Sequence, residues 1–379
     1  MIIGIPKEIK TEEYRVAATP MAAGTLVRAG HKMLVQTQAG LGSSFSDEDY
    51  IKAGASITRT AEEVYGNADM IYHVKEPLAV EYPLLRKDQI LFSYLHLAAT
   101  LEVTQALMER GVTGIAYETV ELADGSLPLL TPMSEIAGKL SVQVAAQYLG
   151  RMYKGIGKLM GGVPGVPPAT VAVIGCGISG TAAAEVALGM GARVIMIDID
   201  VARLRYLSHF FHGRFETLAA NPLNIAAAVK QSDVVIGAVL SKANRAPIVV
   251  TREMVKSMRP GSVIVDIAID QGGCVETSHP TSHTNPVFIE HDVIHYCVTN
   301  MPGMVPLCST MALSNATLPY ALKLANMGFH EALRSDPALR GGLNVYRGEV
   351  TNKFVAESLE LPFTPFSISE KEVILCNTR

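Results

Sequence analysis

A run of glycines between two apolar strands constrains this 379-residue chain more than any other feature. Val171-Ala-Val-Ile174 reads as a buried strand, and Gly175-Cys-Gly177-Ile-Ser-Gly180 follows it on G-x-G-x-x-G spacing. Thr181 to Met190 then reads as a helix, and Arg193 to Ile197 as a second strand ending at Asp198. In such a unit the first glycine permits a tight turn, the second lets a pyrophosphate approach the backbone, and the third allows close helix–strand packing. Free N–H groups at the helix start, where Ile178 and Ser179 lie, face the phosphates. A carboxylate at the end of the second strand accepts hydrogen bonds from an adenosine ribose and repels a 2′-phosphate. These residues predict a dinucleotide site that prefers NAD to NADP.

Composition bounds the class. The chain is long enough for two domains with separate cores. With 49% apolar and 18% charged residues it has the balance of a packed globular enzyme. A net charge of −4 without a basic block gives no electrostatic case for nucleic acid. Cys176, Cys274, Cys297, Cys308 and Cys376 are scattered without a C-x-x-C pair, as expected of reduced cytosolic thiols. Met1-Ile-Ile-Gly-Ile5 opens as a strand without a signal-peptide pattern. Polar residues and Pro319 interrupt the apolar run Val305–Ala325, which predicts a buried helix or helix pair and no membrane span. A cytoplasmic protein is expected.

Over the first third, strands are expected at Ile2–Ile5, Met33–Gln36, Met70–Val74, Ile90–Tyr94 and Gly114–Tyr117. Helices are expected at Met21–Ala29, Asp47–Ala53 and Leu101–Arg110. A long helix from about Ser134 to Tyr153 bridges to the glycine region, where the alternation continues through Asp233–Val239 and Ser262–Ile267. The expected fold is α/β: two doubly wound Rossmann-like domains, the second inserted into the first and joined to it by long helices. Residues 131–304 would bind the dinucleotide. Residues 1–130 with 305–379 would form a discontinuous substrate domain, helical and without parallel-strand signals after Val305. Ligands of such sheets bind beyond the carboxyl ends of strands, which singles out Lys75, His96 and Asp270 as facing a cleft between the domains.

Several longer blocks carry a family likeness: Ile3-Gly-Ile-Pro-Lys-Glu8, Tyr14-Arg-Val16, Val74-Lys-Glu-Pro77, Tyr94-Leu-His-Leu97, Pro128 to Gly138, Met160 to Gly165, Val265 to Gly273 and Thr299-Asn-Met-Pro302. In unbroken register from residue 1 to about 365, the chain resembles the L-alanine dehydrogenase/transhydrogenase alpha-subunit family. The resemblance implies NAD-linked, reversible interconversion of L-alanine with pyruvate and ammonium, in a homohexamer. It places Arg15 and Lys75 on the substrate and His96 and Asp270 in catalysis. It places Ser134, Asp198, Arg203 and position 220, here Ala220, on the pyrophosphate and adenosine side of the cofactor. Val239, Leu240, Ile267, Ala268, Ile269, Asp270, Val298, Thr299, Asn300 and Met301 match segments lining the nicotinamide half. Leu130, Met133 and Tyr94 would wall a pocket for the substrate methyl group.

The residue chemistry agrees. Arg15 offers a planar fork for two carboxylate oxygens, and Lys75 adds a compact charge. Read alone, Arg15 would be a solvated partner of Glu12 and Glu13, and Lys75 a partner of Glu76. Hydride loss from the alanine Cα needs a neutral amine and yields an iminium ion; water then adds and ammonia leaves. Each step moves a proton, and imidazole is the side-chain class suited to that task, hence His96. Asp270 would activate water, or stabilise the iminium and polarise His96, or simply cap a turn. An N-cap role is the alternative for Ser134.

Three positions depart from the family pattern. Ala220 stands where relatives commonly carry Ser near the adenine, Leu240-Ser-Lys-Ala-Asn-Arg245 replaces a Pro-Gly turn, and Leu307 replaces a basic residue. Lys323 and Met327, at positions where some relatives bind magnesium, are poor ligands for it, so no metal is expected. His209-x-x-His212 and His279-x-x-x-His283 lack further partners in zinc spacing. Competing readings are the NAD-binding portion of a proton-pumping transhydrogenase, a saccharopine-type dehydrogenase, and a non-catalytic NAD sensor. The complete set Arg15, Lys75, His96 and Asp270 speaks against the first and the last.

Overall fold

A computed structural model describes residues 1–239 and 245–367. The chain divides into two compact units, Met1–Met133 with the segment from Val305 onward, and Ser134–Met304. In the first unit β1 (Ile2–Ile5), β2 (Lys32–Gln36), β3 (Ser56–Thr58), β4 (Met70–Tyr72), β5 (Ile90–Ser93) and β6 (Thr113–Ala116) pair in parallel in the order β6-β5-β4-β1-β2-β3. Every residue of β4, β5 and β6 is buried, which explains their near-continuous apolar runs. Helix starts are chemically marked: Thr19 caps Pro20–Arg28 by accepting from the Ala22 amide, and Ser46 with Asp49 forms a capping box on Asp47–Lys52.

The second unit repeats the order. Its strands are β7 (Thr170–Ile174), β8 (Arg193–Asp198), β9 (Glu216–Ala219), β10 (Val234–Gly237), β11 (Val263–Asp266), β12 (Val287–Glu290) and β13 (Val293–Tyr296), arranged β12-β13-β11-β10-β7-β8-β9. All pairs are parallel except the edge pair β12–β13. Ile174, Ile195, Val235 and Ile264 meet in its core. Both sheets are thus doubly wound, and each reverses direction at one place: between β1 and β4, and between β7 and β10.

Several expectations shift. The fingerprint helix runs Ile178–Gly189, three residues earlier than its apolar pattern suggested, because extended Gly177 ends the turn and the helix starts at once. The bridging helix spans Thr131–Tyr148, since Pro132 is tolerated in a first turn, and Arg151–Tyr153 forms a separate 3-10 turn after Gly150. Ser134 therefore lies inside the helix and is not its cap. The run after Val305 is one helix, Pro306–Met327, with Pro319 inside it. The tail is not all helical: β14 (Leu343–Tyr346) and β15 (Glu349–Val350) add antiparallel strands beside β6, and β3, β9, β12 and β13 were also unforeseen. Among the described residues no helix is long and apolar enough to cross a membrane.

Candidate functional site

In the first unit the charged candidates follow the ends of the parallel strands: Arg15 lies on the loop after β1, Lys75 follows β4, and His96 follows β5. Arg15 is not the solvated residue its neighbours suggest; it is 2% exposed. Its Nε and Nη2 donate to Glu13 Oε1 and Oε2 at 2.6 and 2.5 Å, and Nη1 reaches Met133 Sδ at 3.2 Å. The fork expected to grip a ligand is therefore engaged by Glu13. Burial opposes the charge of Glu13, yet the Arg15 guanidinium holds its carboxyl down at about 2. For Arg15 burial is likewise outweighed by Glu13, and its pKa is raised.

Lys75 is half-buried and does not pair with Glu76, which Lys10 takes instead. Among the described residues its ammonium makes no hydrogen bond or ion pair. Burial first, and then repulsion by Arg15, lower its pKa. An ammonium partly stripped of water and without a paired anion is costly, and an incoming carboxylate would relieve that cost.

His96 is exposed and sits in the left-handed region, φ 50°. Glu118 sustains that conformation by accepting from the His96 amide at 2.5 Å and the Leu95 amide at 3.2 Å. The His96 ring stacks with Tyr94, centroids 6.0 Å apart, and the Tyr94 hydroxyl donates to Leu129 O. Tyr94 and Met133, expected to wall a methyl pocket, both lie by Arg15. The first unit thus brings Arg15, Lys75, Tyr94 and Met133 together and attaches His96 through Tyr94. Glu13 was foreseen only as a solvent-side partner of Arg15; Glu118 and the buried Glu8 and His73 behind Lys75 were missed. The strand-end rule applied to β1 would have found Glu8. Burial pushes the Glu8 carboxyl up to about 7 against the pull of His73.

The second unit carries the remaining candidates. Gly175 has φ +92°, and a Cβ there would lie 2.5 Å from Ala238 O; a Cβ on Gly180 would run into Gly175 O. Gly177 faces open space, and no side chain caps the helix start at Ile178 and Ser179. Open space, glycine backbone and uncapped N–H groups at β7's carboxyl end fit a pyrophosphate. Asp198 ends β8, accepting from the Cys176 amide at 2.6 Å and the Asp200 amide at 2.8 Å; each oxygen keeps a further acceptor direction for a ribose. Arg203 locks the same turn, donating to Cys176 O and Thr181 Oγ1 at 3.0 and 3.1 Å. The amide of Ala220 donates to Asp198 O at 2.8 Å.

Val239 follows β10, while Leu240 and the Leu240–Asn244 part of the unusual turn lie outside the described residues. Ile267, Ala268, Ile269 and Asp270 form a 3-10 turn after β11. The Asn300 amide donates to Asp270 Oδ1 at 3.3 Å, so the turn and the Val298–Met301 segment (Val298, Thr299, Asn300, Met301) come together. Asp270 is exposed. Fully buried Asp266, also missed, anchors this turn by accepting from the amides of Ala268, Cys274 and Val275 at 3.0–3.1 Å. Ser134, in the first turn of the bridging helix, is half-buried.

Comparison with known proteins fits both halves. Residues 4–137 match the family described as Alanine dehydrogenase/PNT, N-terminal domain, and residues 141–353 match its C-terminal domain. The alanine dehydrogenase of Methanococcus maripaludis is 54% identical over 366 residues, 96% of this chain and 98% of that one. A solved L-alanine dehydrogenase superposes with a TM-score of 0.92 at 53% identity, covering 95% of this chain and 99% of that one. A transhydrogenase from Sinorhizobium meliloti gives 0.79 at 25% identity, covering 93% and 99%. With two family domains spanning nearly its whole length and relatives above half identity, the chain belongs to the alanine dehydrogenase/PNT family.

Proposed function

We propose that the protein is an NAD-dependent L-alanine dehydrogenase: L-alanine, NAD⁺ and water give pyruvate, ammonium, NADH and a proton, reversibly. The observation that carries the reading is the half-buried Lys75 ammonium beside Arg15, without a paired anion among the described residues, in a chain more than half identical to named alanine dehydrogenases. The first unit then handles the substrate and the second holds NAD. Bound NAD supplies the hydride acceptor at its nicotinamide.

Lys75 takes the substrate carboxylate as the principal cation. Arg15, engaged by Glu13, adds its positive field. The exposed His96 accepts a proton from the alanine ammonium so that the nitrogen lone pair can drive hydride departure, and it returns a proton to the leaving ammonia. Asp270 stabilises the iminium ion or activates the water that adds to it. Tyr94, Leu130 and Met133 bound the space for a methyl group, which favours a small side chain. Gly175, Gly177, Ile178, Ser179 and Gly180 bind pyrophosphate with Ser134, while Asp198, Arg203 and Ala220 meet the adenosine. Val239, Ile267–Asp270 and Val298–Met301 surround the nicotinamide. A cytoplasmic homohexamer is the expected assembly, testable by sedimentation.

The test is the reductive assay: purified protein, NADH, pyruvate and ammonium, followed at the nicotinamide absorbance. Ammonium-dependent oxidation is expected, weaker with NADPH because Asp198 repels the 2′-phosphate. A folded protein that binds NADH but shows no ammonium-dependent turnover would leave the NAD-sensor reading ahead. A preference for larger oxo acids would favour the saccharopine-type alternative.

A further inference from the structure

The two strands that meet at the switch point of the first sheet each deliver one buried ionisable residue that the proposed chemistry does not use. Glu8 follows β1 and His73 follows β4. Both close on a single stretch of main chain. Glu8 Oε1 accepts from the amides of Val74 at 2.7 Å and Lys75 at 3.3 Å. His73 Nδ1 lies 2.7 Å from the Lys75 carbonyl oxygen, and Ser93 Oγ donates to that same oxygen at 2.7 Å. A carbonyl only accepts, so Nδ1 carries the hydrogen, and Nε2 faces Glu8 Oε1 at 3.4 Å.

Residue 75 is therefore held at its N–H by one side chain and at its C=O by two others. A lysine stem has four rotatable bonds, so its ammonium is well placed only if the stem starts from fixed main chain. Among the described residues Glu8 Oε2 and His73 Nε2 make no hydrogen bond of their own. Burying two ionisable groups this incompletely satisfied costs stability, which their bonds to the main chain of Val74 and Lys75 offset only in part.

We propose that Glu8 and His73 are positioning residues that clamp the main chain of Lys75 from both edges and so hold its ammonium in place for the substrate carboxylate. The inference rests on Lys75 serving that carboxylate, so Lys75→Gln is measured beside it. The experiment is steady-state kinetics of the full-length protein with varied pyruvate, together with NADH affinity by fluorescence. Glu8→Asp keeps the charge but withdraws the carboxylate by one methylene; Glu8→Gln keeps the reach and the acceptor. His73→Leu removes the donor, whereas His73→Asn places an amide N–H where Nδ1 was.

Glu8→Asp and His73→Leu should raise the pyruvate KM about tenfold or more, with kcat and NADH affinity within about threefold of the parent. Glu8→Gln and His73→Asn should recover KM to within about threefold of the parent. Unchanged pyruvate KM in Glu8→Asp and His73→Leu, while Lys75→Gln raises it, overturns the clamp and leaves the role of Lys75 standing. Unchanged KM in Lys75→Gln removes both. Loss of NADH affinity in step with pyruvate affinity marks a general structural role and also overturns the clamp.

Discussion

At the crossover of the second sheet the chain presents main chain: Gly175 and Gly177 keep side chains away, Gly180 seats the helix, and the N–H groups at Ile178 and Ser179 stay uncapped. At the same crossover of the first sheet it presents charges: Arg15 locked on Glu13, Lys75 without a paired anion among the described residues, and Glu8 against His73. One strand order thus supports two kinds of site. A backbone site recognises an anion through fixed dipoles and carries no burial penalty for ions. A charged site must offset the desolvation of each ion with a partner brought from elsewhere in the chain, or leave one unpaired for the ligand to complete.

The largest expected effect is on turnover. His96→Ala and Asp270→Ala should each lower it by about two orders of magnitude or more, as loss of a proton-transfer group does. NADH binding should survive His96→Ala, because the backbone site is built without it. Parent-level turnover in either variant takes that residue out of the mechanism.

Next is acid stability, which reads the charged site directly. Glu13 has its pKa lowered from 4.5 to about 2 in the fold, so the unfolded chain binds the extra proton between those values. Its contribution, on the order of 3 kcal/mol, is full above the unfolded pKa and is lost as pH falls toward 2. Glu8 runs the other way. Raised from 4.5 to about 7, it opposes folding progressively as pH climbs through that window. The denaturation midpoint of the parent should therefore exceed that of Glu13→Gln near neutrality and converge on it as pH drops below 4. A constant gap across that range would mean that Glu13 and Arg15 are not coupled as drawn.

Gly180→Ala probes the other kind of site. Its Cβ would meet the Gly175 carbonyl, so the turn must shift, at a cost of about 1–3 kcal/mol with weakened NADH binding. Lys75→Gln should leave NADH binding unchanged. If both substitutions move NADH affinity equally, the division between backbone and charge is wrong.

The same division explains what could be read in advance. The fingerprint was legible because its constraints are local: a left-handed turn at Gly175 and a close approach at Gly180 lie within six residues. Lys75, His96 and Asp270 were legible as strand ends. Their supports were not, because Glu8 acts 66 residues away on Val74 and Glu118 acts 22 residues away on His96. No local period records such pairings. The missed strands have a related cause. β9 is a largely exposed edge strand of Glu216-Thr-Leu-Ala219, and β14 contains a buried Asn344, whose amide donates to Thr119. Their pairing comes from neighbours, and their residue types alone do not announce it.

Ala220→Ser should produce the smallest change. The amide of Ala220 donates to the main-chain carbonyl of Asp198, which brings residue 220 next to the residue proposed to hold the ribose. A hydroxyl there would add one hydrogen bond, worth about 0.5–1.5 kcal/mol, or roughly two- to tenfold in NAD affinity by titration calorimetry. A gain inside that range fits a site whose main grip is glycine backbone and to which side chains add increments. A gain well beyond tenfold would mean that the adenosine end depends on side chains as heavily as the substrate end does, and the two crossovers would no longer differ in kind. No gain at all would mean that a water already fills the hydroxyl's place, which leaves the contrast intact.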